Sequence, residues 1–145
     1  MSKVKRIIIP ILFSLLVLIS FSTSNKAKAE MLSVKKDGTG NFTTIQACVD
    51  AARAGDTCSV YPGLYNEHVI TKASGTSDSA RIVIKAEGTA TMQGFDIKHS
   101  YVTIEGFDIT GSTTYQSYIM IYTGGNNCKI LNNTLRDGIT GAFGV

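Results

Sequence analysis

The sequence predicts an all-β fold, a parallel β-helix solenoid with a short N-terminal capping α-helix. Three observations predict it. An apolar pattern of helical period occurs just before Gly55, and no such pattern follows it. The rest of the chain consists of short β-prone runs separated by Gly, Asn, Asp, Ser and Thr, which is typical of all-β proteins. These runs recur every 20 to 26 residues, which indicates a solenoid.

The chain begins with the features of a secretory signal peptide, which we place at residues 1–29. A basic start is followed by an apolar run at 7–21, and an Ala-x-Ala site ends at Ala29. The run has 15 residues, whereas a membrane-spanning helix needs about 20. We therefore predict cleavage before Glu30 rather than an uncleaved anchor. The predicted mature protein, residues 30–145, is secreted and has no stable membrane anchor.

The charge of the predicted mature protein differs from that of the whole chain. Five of the 14 basic residues precede Glu30, and none of the 11 acidic residues do. Nine basic residues then stand against eleven acidic ones, a formal charge of −2. Because no basic patch stands out, we predict no nucleic-acid partner.

The helix is predicted at Thr44–Ala52, preceded by a loop. Thr43 is the predicted N-cap, since Gln46 follows it at the spacing of a capping box. Gly55 stands where a residue of positive φ is expected after the helix. One face of the helix carries the apolar residues Ile45, Cys48, Val49 and Ala52. A helix this short is not stable alone, so we expect it to cover the first coil.

The three cysteines predict one disulfide and one free thiol, because the protein is predicted to be exported. Cys48 lies on the apolar face of the helix, and Cys58 lies on the strand that the helix would cover. We predict a Cys48–Cys58 disulfide and a free Cys128. The alternative is that all three thiols are reduced and buried.

The strands can be aligned in two interleaved series. The predicted strands are Thr57–Tyr61, Glu67–Thr71, Arg81–Ala86, Ala90–Gln93, Tyr101–Glu105, Tyr118–Tyr122 and Cys128–Leu131. One series places Val60, Ile84, Ile104 and Ile130 at equivalent positions of successive coils. The other series does the same for Val69, Met92 and Ile121. If Ile84 and Ile104 stack, Lys85 and Glu105 project outward in one column. Asn133 takes the position of Phe107 and is expected to point inward and bond along the stack.

The stretch VKKDGTGNFTTIQACVDAARAGDTCSVYPGLYNEHV, at 34–69, resembles the N-terminal entry to the pectin lyase-like superfamily of right-handed parallel β-helices. In that family an amphipathic helix caps the first coil, and the Asn132-Asn133 pair also resembles its later coils. The resemblance implies an exported, polysaccharide-active protein similar to pectate lyases, which cleave uronic-acid polysaccharides by β-elimination. It implies an acidic, pectin-like polysaccharide as partner, and Ca²⁺ as the cofactor of a full-length relative of the lyase type.

No catalytic residue can be carried over from the family. The motifs Gln-Asp-Thr-Leu-Tyr and Asp-Phe-Ile-Phe-Gly of pectin methylesterases are absent, which argues against a complete small esterase. Lyases of the family hold Ca²⁺ with clustered carboxylates, whereas the carboxylates here are scattered singly. We therefore predict no catalytic and no metal site in this chain, no cofactor, and substrate-binding residues that are unknown. The alternative function is a non-catalytic carbohydrate-binding or cell-surface module.

The remaining candidate residues have two interpretations each. Asp96 and Asp108 lie in a duplicated Gly-Phe-Asp-Ile and form either a carboxylate pair or, as we favour, turn residues on different faces. His68 and His99 are expected at the surface, and Arg136-Asp137 is expected to form a surface ion pair. The six tyrosines could stack sugars or only pack on strands; they are Tyr61, Tyr65, Tyr101, Tyr115, Tyr118 and Tyr122.

The far end of the solenoid has no recognisable cap in the sequence. After Asp137 the chain reads GITGAFGV, which offers neither a helix nor a charged strand. Because a bare last coil exposes core residues and strand edges, we expect a chain truncated at its C-terminus. Downstream coils or another chain would then supply the cap.

Overall fold

The computed structural model describes residues 28–110 and 119–136. These ranges contain twelve strands and one helix, α1, at Ile45–Ala51. The strands are β1 (Met31–Val34), β2 (Thr57–Val60), β3 (Gly63–Leu64), β4 (His68–Ile70), β5 (Ile82–Ala86), β6 (Ala90–Met92), β7 (Gly94–Ile97), β8 (Val102–Glu105), β9 (Asp108–Thr110), β10 (Ile119–Ile121), β11 (Lys129–Leu131) and β12 (Thr134–Arg136).

The strands form a parallel β-solenoid of about four turns, as predicted. The first sheet has the order β1-β2-β5-β8-β11, the second β3-β6-β9-β12 and the third β4-β7-β10. Every strand pair in the described residues is parallel. From β2 onwards, each coil adds one strand to each sheet in turn. The chain therefore winds round one core without hairpins.

All seven predicted strands are present, and five further strands were missed. The missed strands are β1, β3, β7, β9 and β12. They have two to four residues each, and two of them begin with glycine. Such segments carry little intrinsic preference for a strand. Pairing with neighbouring coils, rather than propensity, makes them strands.

The predicted register of the first sheet is right for three coils and wrong for one. Ile84, Ile104 and Ile130 are in register, as expected. Cys58, rather than Val60, is the partner of Ile84, and Val60 pairs with Ala86. Both Cys58 and Val60 point into the core, so alternation along the strand does not distinguish a shift of two residues.

The second predicted series is wrong because it merges two sheets. Val69 pairs with Phe95 in the third sheet, whereas Met92 pairs with Ile109 in the second. Ile121 pairs with Ile97 of the third sheet. Short apolar runs look alike in sequence, and only the corners between them assign each run to a sheet.

Two finer predictions of register are confirmed. Lys85 and Glu105 are partners on adjacent strands, on the outward side of the first sheet. Asn133 lies in register with Phe107, since the next residues of both coils are paired. Its side chain accepts a hydrogen bond from the Phe107 amide at 2.9 Å and donates one to the Ile104 carbonyl at 3.0 Å. The asparagine thus ties two coils together at a corner.

The helix covers the first coil with the apolar face that was predicted. Ile45, Cys48 and Val49 of the helix are buried, and so is Ala52, which is the C-cap rather than the last helical residue as predicted. The N-cap is Thr44 rather than Thr43: its hydroxyl accepts a hydrogen bond from the Ala47 amide at 3.3 Å. Gly55 has the expected positive φ of 99°, in a turn after the helix has ended.

Gln46 does not complete a capping box; it covers the edge of the third sheet. Its amide nitrogen donates to the Ile70 carbonyl at 3.0 Å, and its amide oxygen accepts from the Ile70 amide at 2.8 Å. The side chain thereby takes the place of a neighbouring strand. An edge paired in this way is protected from pairing with other chains.

The predicted Cys48–Cys58 disulfide is present, and it joins α1 to β2. Cys128 is free, as expected, and half-buried. In 28–110 and 119–136, no helix has the length and apolar character needed to cross a membrane. The predicted signal peptide lies almost entirely outside the described residues.

Inward-pointing residues of the last described coil are more exposed than their partners one coil earlier. Ile97, Ile104 and Ile109 are 0% exposed, whereas their partners Ile121, Ile130 and Leu135 are 51%, 38% and 50% exposed. The predicted truncation concerns residues 137–145, which lie outside the described residues.

Candidate functional site

Asp96 and Asp108 lie on different sheets, as their spacing predicted. Asp96 belongs to β7 of the third sheet and Asp108 to β9 of the second. Both are strand residues, which corrects the expectation that they are turn residues. The duplicated Gly-Phe-Asp-Ile therefore forms no carboxylate pair.

Asp108 is held by side chains from the coils before and after it. The Arg136 guanidinium donates to its two carboxylate oxygens at 2.7 and 2.6 Å, and the Thr91 hydroxyl donates to it at 3.0 Å. These hydrogen bonds, chiefly those from Arg136, hold the pKa of the Asp108 carboxyl below its usual value. Asp137, the predicted partner of Arg136, lies outside the described residues.

Most other carboxylates of the described residues also accept hydrogen bonds within the fold. Asp37 accepts from Thr39, Asp50 from Gln46, Asp56 from Glu30 and Arg53, Glu67 from Ile45 and Gln46, Asp78 from Arg81, and Glu87 from Ser59. Ca²⁺ needs about six to eight converging oxygen ligands. In the described ranges, no group of three or more His, Cys, Asp or Glu side chains could hold a metal ion. These residues do not fit the Ca²⁺ site that the resemblance implies.

Four polar side chains meet on the outer face of the third sheet; we call them the third-sheet cluster. They are His68, Asp96, Lys98 and Tyr122. His68 Nε2 lies 2.9 Å from Asp96 Oδ1, and both side chains are largely buried. The Lys98 ammonium lies 4.9 Å from the centre of the Tyr122 ring. Partial desolvation of the Tyr122 hydroxyl and the nearby Asp96 carboxylate, which accepts its hydrogen bond, raise the pKa of that hydroxyl.

Parallel pairing explains why these residues meet. His68 pairs with Gly94, so its ring reaches past the glycine towards Asp96 two residues on. Tyr122 follows β10, which pairs with β7, and therefore lies beside Lys98. The cluster combines an imidazole, a carboxylate, a phenol and an ammonium group, all of which can exchange protons. The protonation state of His68, and the ring nitrogen that carries its proton, decide whether the imidazole donates or accepts a proton.

The other histidine, His99, is also bound to a neighbouring coil. Its Nδ1 lies 3.0 Å from the hydroxyl of Thr71, which is buried. The same Thr71 oxygen accepts a hydrogen bond from the Lys98 amide at 2.9 Å. His99 therefore helps to fix a corner between coils.

The tyrosines of the described residues do not form one platform. Tyr61 and Tyr122 are exposed but follow strands of different sheets, β2 and β10, and Tyr65 is fully buried. The Arg81 guanidinium lies 5.8 Å from the centre of the Tyr101 ring. Tyr115 and Tyr118 lie outside the described residues. A continuous sugar-stacking surface is therefore not formed by the four that are described.

A cleft of about 360 Å³ lies at the corner between the first and second sheets. Its lining is Lys35, Lys36, Asp37, Tyr61 and Pro62; we call it the corner cleft. The Lys35 ammonium lies 4.6 Å from the centre of the Tyr61 ring, and Lys36 lies 5.1 Å from that of Tyr65. A hydrogen bond from Thr39 lowers the pKa of Asp37, so this carboxylate is ionised near neutral pH. Two cations and one anion leave the cleft positively charged.

The backbone positions the lysines next to the tyrosines. Val34 and Val60 are the last pair of the β1–β2 ladder, so Lys35 and Tyr61 follow at the same level. The Tyr65 hydroxyl donates to the Tyr61 carbonyl at 2.9 Å, which fixes the corner from inside. Gly63 has no Cβ, and a Cβ there would lie 3.1 Å from the Lys36 side chain. The glycine therefore lets Lys36 cross the corner.

No known protein family, curated protein or solved structure matches this chain. The chain is a parallel β-solenoid. No family match supports the pectin lyase-like superfamily specifically, so that resemblance stays a prediction from the sequence.

Sequence reasoning named the tyrosines but missed the lysines of the corner cleft. Lys35 and Lys36 lie within the stretch that carries the resemblance, but no role was predicted for them. Their signal was present only as two adjacent cations one coil before a tyrosine. The 26-residue step from Lys35 to Tyr61 equals the step from Val34 to Val60, so a correct register would have found the pair.

Proposed function

We propose that this protein is exported and binds an acidic, pectin-like polysaccharide at the corner cleft, without cleaving it there. The observation that supports this most directly is the juxtaposition of two lysine ammonium groups with an exposed tyrosine. Uronic-acid residues carry a carboxylate, which an ammonium group attracts, and a pyranose ring, which packs on an aromatic face. The exposed position of the cleft suits a polymer that passes over the surface.

The electrostatics of the cleft favour an anion over a neutral sugar. Lys36 and Tyr61 are exposed, and Lys35 is half-buried. The Lys35 ammonium lies 4.6 Å from the centre of the Tyr61 ring, so the cation and the aromatic ring that the proposal needs are already adjacent. An attraction between exposed charges weakens as salt screens it. Binding through the cleft is therefore expected to weaken with ionic strength.

The test is binding of polygalacturonate by the chain with Lys35→Ala and Lys36→Ala, measured by affinity electrophoresis or calorimetry. We expect these changes to abolish most of the binding and Tyr61→Ala to weaken it. The control is Lys72→Ala with Lys129→Ala, which removes the same charge from exposed sites elsewhere. Equal loss in both double variants would mean that only net charge matters. Unchanged binding in the cleft variant would refute the proposal.

The third-sheet cluster supports a second candidate, a polysaccharide lyase. In β-elimination a base removes the proton next to the uronate carboxylate, the bond to the leaving oxygen breaks, and an acid protonates that oxygen. His68, Lys98 and Tyr122 are groups that can transfer these protons. This candidate predicts unsaturated products that absorb ultraviolet light when polygalacturonate is added. It also predicts their loss in Tyr122→Phe, with Tyr101→Phe as the control for a tyrosine outside both the cluster and the corner cleft.

A further inference from the structure

Asp56 is a buried carboxylate that lies next to Glu30, the first residue of the predicted mature chain. Its side chain is almost fully enclosed, at 6% exposure of the residue. One oxygen accepts a hydrogen bond from the Arg53 amide at 2.8 Å, within the turn that follows α1. The other oxygen accepts one from the Glu30 amide at 2.9 Å. Both oxygens of Asp56 are therefore directed at backbone nitrogens.

Glu30 is fixed on its other side as well. Its carbonyl accepts a hydrogen bond from the Thr57 amide at 2.8 Å, just before β1 and β2 begin their ladder at Met31 and Thr57. The bond from Glu30 to Asp56 and the bond from Thr57 to Glu30 together hold the Glu30 nitrogen in position. Neither bond involves the residues that precede Glu30. The nitrogen can therefore stay where it is when the chain before it is removed.

We infer that signal-peptide removal converts this hydrogen bond into an ion pair between the new α-ammonium group of Glu30 and the buried carboxylate of Asp56. In the cleavage, water adds across the peptide bond between Ala29 and Glu30. Ala29 leaves with a new carboxylate, and the Glu30 nitrogen becomes an amine that takes up a proton. The inference rests on the predicted cleavage site and not on polysaccharide binding.

The surroundings favour a cation at this place after cleavage. Asp56 lies in a cleft of about 380 Å³, whose other charged residues are Lys28, Glu30 and Arg53. Lys28 leaves with the signal peptide, so one positive charge is lost and the α-ammonium replaces it. The remaining lining is Leu32 of β1 and Ala51 of α1, which carry no charge. The attraction between the two charges is stronger here than at an exposed site, because water screens an enclosed carboxylate less.

The ion pair would attach the first strand to the turn after the helix. β1 is the edge strand of the first sheet, and β2 is its partner. The pair therefore stabilises the N-terminal end of the solenoid only after export, when the precursor has been processed. This makes the mature N-terminus a structural part of the capped end.

The pair has a defined pH dependence. A free α-amino group has a pKa of about 8, and a neighbouring carboxylate raises that value. The stabilisation is then fully present below about pH 8 and is lost as the pH rises through the raised pKa. Glu30, Arg53 and Asp56 are the charged groups lining the site in the mature chain. A comparison with an acetylated N-terminus removes the titration of all other groups.

The first test is N-terminal sequencing of the protein exported from cells that express the full chain. Glu30 is the expected first residue. Any other first residue overturns the inference, because another amine would not lie on Asp56. Polysaccharide binding is measured separately on the same material, so failure of one proposal is distinguished from failure of the other.

The second test compares the mature chain carrying a free Glu30 amine with the same chain acetylated there, by urea unfolding from about pH 6 to about pH 10. At neutral pH the free amine is expected to lower the unfolding constant about tenfold, and the difference is expected to vanish at high pH. Asp56→Asn is expected to remove the difference. If that variant does not fold, titration of the Glu30 amine decides: a pKa above about 8 supports the pair. Equal stability of free and acetylated chains at neutral pH overturns it.

Discussion

The carboxylate of Glu67 accepts a hydrogen bond from the backbone amide of Gln46 at 2.9 Å, across 21 residues of sequence. Its other oxygen accepts one from the amide of Ile45 at 3.2 Å. Glu67 thus binds two backbone amides of the first turn of α1 and places a negative charge at the positive end of the helix dipole. It does so from the coil that the helix covers. The capping-box pattern predicted only local partners for the first turn, whereas the structure combines a local one, Thr44, with the distant Glu67. The helix and the first coil therefore stabilise each other directly.

We predict that Glu67→Gln destabilises the protein by about 1 kcal/mol, the typical value of a helix cap and its charge. The amide of glutamine can replace only one acceptor oxygen and carries no charge. Urea unfolding measures the change. Glu105→Gln, on the outer face of the first sheet, is the control and should alter stability by less than about 0.5 kcal/mol. Equal effects would contradict a capping role for Glu67.

The disulfide should contribute to stability although its loop is short. Ten positions separate Cys48 from Cys58, and closing such a loop contributes about 3 kcal/mol at most. We expect the variant with Cys48→Ala and Cys58→Ala to lose up to that amount in urea unfolding. Cys128→Ala should not change how much a reducing agent lowers the free energy of unfolding. Non-reducing peptide mapping should recover Cys48 joined to Cys58, and a bridge to Cys128 would reject the pairing.

Asn133 should stabilise the corner between the last two described coils. Asn133→Ala removes the acceptor for the Phe107 amide and the donor for the Ile104 carbonyl. We expect a loss of about 1–3 kcal/mol, because partly buried backbone groups are left unpaired. Hydrogen exchange at the Phe107 amide should become faster.

Asn132→Gly is the matched control for Asn133. Asn132 has a φ of 55°, and Gly106 occupies the same corner one coil earlier with a φ of 81°. Because glycine adopts this conformation without strain, the change should alter stability by less than about 0.5 kcal/mol. If Asn132→Gly destabilises the protein as much as Asn133→Ala does, the loss in Asn133→Ala reflects a general sensitivity of this corner to substitution. It would then not be due to the side-chain amide of Asn133.

The Asp108–Arg136 pair should make stability depend on acid. Arg136 lowers the pKa of Asp108 below the ordinary value of 3.8. The contribution of the pair is therefore present above that value and is lost as the pH falls through the lowered pKa. Since Arg136 is half exposed, we expect about 0–1 kcal/mol. Asp108→Asn should flatten the acid limb of the stability profile, whereas Glu105→Gln should not. An unchanged acid limb in Asp108→Asn would refute this assignment.

The amino-acid sequence by itself determined the fold class, the capping helix and its buried face. It also determined the disulfide, the outward column of Lys85 and Glu105, and the inward asparagine at 133. These features depend on local propensity, on alternation along short strands and on a period of repetition. All three are properties of neighbouring residues or of evenly spaced ones, so they can be read along the chain.

Only the tertiary structure decided which sheet each short strand joins, because alternation is the same in all three sheets. The predicted series through Val69 and Met92 was wrong for that reason, and the predicted register of Val60 was wrong by two residues. The same limit hid the partners of Glu67, Asp56 and Lys35. Each of them meets its partner through stacking of coils about 20 to 26 residues apart. Side-chain contacts across coils depend on register to the residue, and the corners that set this register are fixed only when the coils pack together.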